Sequence, residues 1–134
     1  MNSLEDLKSQ FLVSSSLSET KMLGLLELAI RHCVVDGRGN VEIKTSSLTA
    51  RDKIMLILAA RYIAHHLEES IPMDVTAEEI VKNAFVAPEQ VRARTSDLVR
   101  DKMIEVPARG VYRALAHKLE SFLRDLAPGK SGKK

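Results

Sequence analysis

Residues 75–113 read VTAEEIVKNAFVAPEQVRARTSDLVRDKMIEVPARGVYR, and the order of signals in this stretch decides the fold. Thr76 and Glu79 stand at capping-box spacing, with Val75 and Ile80 placed as a hydrophobic staple, so a short helix is expected over 77–84. Phe85-Val86-Ala87 is read as a turn, and Pro88 follows it with a φ already suited to a first helical position. Val91, Thr95, Leu98 and Val99 then give one buried stripe on a helix expected over 88–102. Met103 and Ile104 lead into extended Glu105-Val106. Pro107-Ala108-Arg109-Gly110 makes a turn, and Val111-Tyr112-Arg113 is a second β-prone run.

Upstream, Thr49 is placed to cap a helix over 50–69, with Asp52 in its first turn where the helix dipole favours an anion. Its apolar residues from Ile54 to Ala60 cover every face, so it is expected to lie centrally or at a subunit interface. Ser70 to Asp74, with Pro72, ends it. Further out, Ser16 and Glu19 stand at capping-box spacing ahead of a helical body from Leu17 to Cys33. Val34-Val35 and Val41 to Lys44 flank Asp36-Gly37-Arg38-Gly39-Asn40 as a hairpin or tight loop. A short amphipathic helix is expected over 3–13 from Leu4, Leu7, Phe11 and Leu12. Downstream, Leu115, Leu119, Phe122, Leu123 and Leu126 mark an amphipathic helix, which Pro128-Gly129 stops. The chain thus divides into an N-terminal helical and hairpin extension (1–48), a domain with a C-terminal helix (49–127), and a flexible tail (128–134).

A short capped helix, a three-residue turn, a second helix and two short strands around a glycine turn form a layout that resembles the winged helix-turn-helix superfamily. The resemblance is carried by Ile80, Pro88 to Gln90, Val91, Leu98 and the pair Met103-Ile104, with Arg109 to Arg113 similar to the far side of a wing. With the helix over 50–69 as its first helix, it covers about residues 50–113. Lys102 stands where members often carry glycine, and Thr95 where a larger apolar side chain is usual. The resemblance implies a mainly α fold with a small β-hairpin wing, extended by N-terminal helices and a hairpin and by a C-terminal helix.

It also implies a double-stranded DNA-binding protein of the transcription-regulator kind, reading the major groove with helix 88–102. Turning 100° per residue, Gln90, Ala93, Asp97 and Arg100 face away from the buried stripe, with Arg92 and Arg94 on its flanks. In a groove, Gln90 suits adenine, Arg94 guanine, Asp97 a cytosine amine and Ala93 a thymine methyl. Arg92, Arg100, Lys102, Arg109 and Arg113 suit phosphates, which fix register without reading sequence. Glu89, Asp97 and Asp101 oppose this by repelling phosphate. The competing reading is a winged-helix module for protein contact, or a subunit of a larger assembly, using residues 1–48 or 114–126.

Composition bounds the remaining classes. With 134 residues, 45% hydrophobic and 28% charged, the chain fits one globular domain rather than a disordered or fibrous one. Residues 1–84 carry a net charge of −3 and residues 85–134 one of +5, an asymmetry that turns the second half toward a polyanion. The near-apolar run Ile54 to Ala64 has 11 residues and includes Arg61, too short to span a bilayer, and Met1 to Gln10 does not read as a signal peptide. Cys33 has no partner for a disulfide, which suits a reducing, cytoplasmic setting. No nucleophile–base pair is supported by a motif, so no enzyme is expected. His65 and Glu69 lie one turn apart without further ligands, so neither a metal nor a cofactor is expected. Leu115, Leu119, Phe122 and Leu126 have the 4-3-4 spacing of a helix-pairing seam; it is expected to serve either the chain's own core or, as the sharper expectation, a homodimer.

Overall fold

A computed structural model describes Leu4 and residues 19–126. Apart from Leu4, the helix expected over 3–13 lies outside the described residues, as do the Ser16 cap and the tail from 128. The elements run α1 (Glu19–Ala29), β1 (Cys33–Val35), β2 (Val41–Ile43), α2 (Ala50–Leu67), β3 (Val75–Thr76), α3 (Ala77–Ala84), α4 (Pro88–Arg100), β4 (Ile104–Ala108), β5 (Val111–Ala114), a 3₁₀ turn (Ala116–Lys118) and α5 (Leu119–Asp125). The described chain is therefore rich in helix, with two small antiparallel sheets: β1-β2, and a three-stranded sheet in the order β3-β5-β4.

α2 is the hub. Every residue from Ile54 to Ala64 is buried, and α1, α3, α4, β5 and the β1-β2 hairpin all pack against it. This settles the choice left open by its all-round apolar sequence, because the faces are covered within the chain. Thr49 caps it by accepting a bond from the Asp52 N–H at 3.1 Å. At its other end, His65 Nδ1 lies 2.8 Å from Ile71 O and His66 Nδ1 lies 2.9 Å from Tyr62 O. Those bonds, and stacking of His66 on Tyr62, hold both imidazoles at the helix end.

The hairpin β1-β2 pairs Cys33 with Ile43 and Val35 with Val41. Leu25, Ala29, Cys33 and Val41 belong to the same apolar core as α2, so residues 19–48 share its interior. Burial pushes the Cys33 thiol up to about 11, which leaves it protonated and inert.

The second sheet contains a strand that local pattern did not reveal. Val75 and Thr76 pair with Tyr112 and Val111, so the staple residue Val75 is also a strand residue, fully buried. In the β4-β5 ribbon the register shifts between Glu105 and Ala108, where Pro107 has no N–H to offer the ladder. Gly110, at φ 73°, makes the turn, and its carbonyl accepts the Ala77 N–H at 3.1 Å, tying the ribbon's tip to the start of α3.

The C-terminal segment is a 3₁₀ turn followed by a short α-helix. Leu119, Phe122 and Leu126 are buried, with Leu115 partly buried, and α5 packs on α1. The seam considered for a homodimer is thus filled inside the chain, because α1 supplies the apolar surface that a second copy was expected to bring. Among the described residues, no helix is long and apolar enough to cross a membrane.

Candidate nucleic-acid interface

The candidate interface builds up from the α3–turn–α4 unit. The capping box forms as expected: Thr76 N–H donates to Glu79 Oε1 at 3.0 Å, and Glu79 N–H donates to Thr76 Oγ1 at 3.2 Å. α3 ends in Phe85, whose φ of 56° lies in the left-handed region. Pro88 then opens α4, as its ring geometry dictates.

One side of α4 is anchored and the other is open. Val91, Thr95 and Leu98 are buried, while Val99, expected in the same stripe, is 38% exposed. Thr95 is accommodated in the core because its hydroxyl donates to Val91 O at 2.7 Å. α4 ends at Arg100, two residues short of expectation, since Lys102 adopts φ 60° and turns the chain toward β4. That left-handed conformation is one glycine takes without strain.

Of the residues expected to face a duplex, Gln90, Arg92, Ala93 and Arg100 are exposed, as is Lys102, and Arg94 and Asp97 are partly exposed. Their charges are not all free. Asp97 pairs with Arg94 at 3.1 Å and with Arg100 at 3.3 Å, and Asp101 pairs with Arg51 at 3.0 Å. Arg94 Nε is the one buried side-chain nitrogen without an acceptor among the described residues. Arg92 and Lys102 have no carboxylate partner there. From Pro88 to Lys102 four cations stand against three carboxylates, so the surface is only mildly positive.

The two arginines of the ribbon part company. Arg109 is exposed at the turn and unpaired among the described residues. Arg113 was expected on phosphate, but it donates from Nε and Nη2 to the two carboxylate oxygens of Asp74 at 2.6 and 3.1 Å, with Glu105 3.6 Å away across the ribbon. The hydrogen bond that Arg113 donates to Asp74 is the main reason its pKa is raised. Arg113 is therefore a strut holding the sheet to the β3 approach, and its charge is already answered.

A residue that sequence reasoning passed over sets the position of this whole unit. Arg61 is 1% exposed, in the middle of α2. Its Nη1 donates to Glu79 Oε2 at 2.9 Å and to Gly39 O at 3.1 Å, Nε to Pro72 O at 2.7 Å, and Nη2 to Asp74 O at 2.8 Å. One guanidinium thus fixes the hairpin loop, the β3 approach and the α3 cap to the central helix. Gly39 is required beside it: φ is 95°, and a Cβ there would lie 3.1 Å from the guanidinium carbon. Glu79 is partly desolvated, yet the Thr76 and Arg61 bonds outweigh that and hold its carboxyl below the usual range. The only sequence signal was a lone arginine inside an apolar run.

Compared with known proteins, the chain matches no family model, no curated protein and no solved structure.

Proposed function

We propose that residues 50–114 form a winged helix-turn-helix and that the protein binds double-stranded DNA as a transcriptional regulator. α4 would enter the major groove, and Arg109 would meet the flanking backbone. The observation that carries the reading is the uncovered outer side of α4, where Gln90, Arg92 and Ala93 are exposed near its N-terminus, the end that meets base edges in such motifs. The order helix, strand, helix, helix, hairpin, with β5 between β3 and β4, supports it as well. Arg113 is left out of the contact set because Asp74 holds it. The seam on α5 is covered within the chain and gives no support to pairing of two copies.

A specific observation favours a second reading, contact with another protein. Val99 on α4 and Val106 on β4 are 38% and 46% exposed, and Asp97 and Asp101 neutralise part of the charge on α4.

Fluorescence anisotropy on short mixed-sequence duplexes separates the two. DNA binding requires affinity that falls steeply with salt, and Arg109→Ala should flatten that log–log slope by about one unit at all sequences. Absence of binding at low salt would leave only the second reading.

A further inference from the structure

Away from the outer face of α4, a groove of about 720 Å³ opens between β2 with its following loop and the last turn of α3. That volume lies within the range of about 300–1,000 Å³ typical of small-molecule sites. Its exposed apolar surface comes from half-buried Ile43 and from Phe85 at the rim, 90% exposed, while Val41 and Ala84 are buried in the wall behind them. Two cations reach it from different helices, Lys53 on α2 and Lys82 on α3, and neither has a carboxylate partner among the described residues. Ser46 and Ser47 add exposed hydroxyls. Glu42 is the one carboxylate in the lining, so the groove keeps a net charge of +1.

The walls are preformed. Asn83 Nδ2 donates to Glu79 O at 2.7 Å while its Oδ1 accepts the Val41 N–H at 2.5 Å, stitching α3 to β2. Thr45 is held by His32, 2.5 Å from its Nδ1. Backbone strain collects here too. Of three non-glycine residues with positive φ among those described, Ser47 at 70° and Phe85 at 56° both line this groove. A bulky aromatic in that conformation is unfavourable, and its near-complete exposure adds a second cost. Neither is needed to fill the core.

We propose that this groove binds an amphipathic organic monoanion, a carboxylate on a small aryl or alkyl body. The carboxylate sits between Lys53 and Lys82 and takes hydrogen bonds from Ser46 and Ser47. The apolar body lies on Ile43 beside the Phe85 ring. The charge balance selects one negative charge, and the apolar floor selects against a bare inorganic ion. This site is independent of the duplex reading, and its test uses no DNA.

Amide chemical shifts of the full chain are followed during titration with phenylacetate, with neutral phenylacetamide, with cationic phenethylamine and with inorganic phosphate. Saturable shifts at residues 43–47 and 82–85 are expected with phenylacetate, and markedly weaker ones with the other three. The double substitution Lys53→Gln/Lys82→Gln, on two side chains outside the core, should weaken phenylacetate about tenfold, as loss of two charge-assisted contacts implies. Phe85→Ser should weaken it while leaving the rest of the spectrum in place. Shifts elsewhere or none, an equal response to the amide or the amine, phosphate binding as well as phenylacetate, or unaltered affinity in the lysine variant would each overturn the proposal.

Discussion

The interior around Arg61 and the outer surface around Arg94 place the same functional group in opposite circumstances. Arg61 is enclosed, and each of its three nitrogens is answered, four of its five N–H groups donating to three carbonyls and one carboxylate from separate segments. Arg94 is half-exposed, shares Asp97 with Arg100, and keeps one nitrogen unanswered. A buried guanidinium is tolerable only when fully hydrogen-bonded, so the first site admits little freedom. At the second, solvent screens each pair, and an outside anion can replace Asp97 at small cost. The first charge serves architecture; the second remains exchangeable.

The largest break in this contrast is Arg61→Met. It strands Glu79 and three carbonyls, and about 3–5 kcal/mol of stability should be lost, read as a lower urea midpoint. An unchanged midpoint would show that the network holds nothing together. Next comes Asp97→Asn, which frees Arg94 and leaves Arg100 only Asp101, 3.6 Å from its Nε. Affinity for mixed-sequence DNA should rise about threefold with a steeper salt dependence, while the urea midpoint moves little. A drop in DNA affinity would mean instead that Asp97 orients those arginines.

The smallest effect concerns pH and belongs to the interior. Burial, aided by Arg31 and Lys44, holds the His32 imidazole below its ordinary 6.5. The unfolded chain then takes up a proton that the folded chain refuses. His32 stability is complete above that ordinary value and is lost as pH falls from it toward the folded value. The melting temperature should therefore slope downward on acidification below neutrality, and His32→Gln should flatten the slope. Identical slopes in both proteins would remove His32 as the cause.

What was legible in the sequence was local. The Thr76–Glu79 box, the Thr49 cap and the Pro88 start depend on residues a few positions apart, and each forms where its spacing put it. Strand β3 was not legible, since two residues become a strand only through Tyr112 and Val111, more than thirty positions away. The fate of Arg113 was hidden for the same reason, because Asp74 lies 39 residues upstream. On α4, rotation about the helix axis separated the open side from the buried one. It could not show that Asp97 would draw in two arginines or that Val99 would stay 38% exposed. The groove lined by Lys53 and Lys82 had no motif to advertise it, being assembled from three separated segments.

Cys33 gives the molecule an internal clock. It is the chain's sole sulfhydryl, 4% exposed beneath α1, with its proton held tightly. A modifying reagent such as iodoacetamide can reach it only when the hairpin parts from the helices. The alkylation rate of the native protein therefore reports how often that opening occurs. Arg61→Met should speed it sharply, and Asp97→Asn should leave it alone.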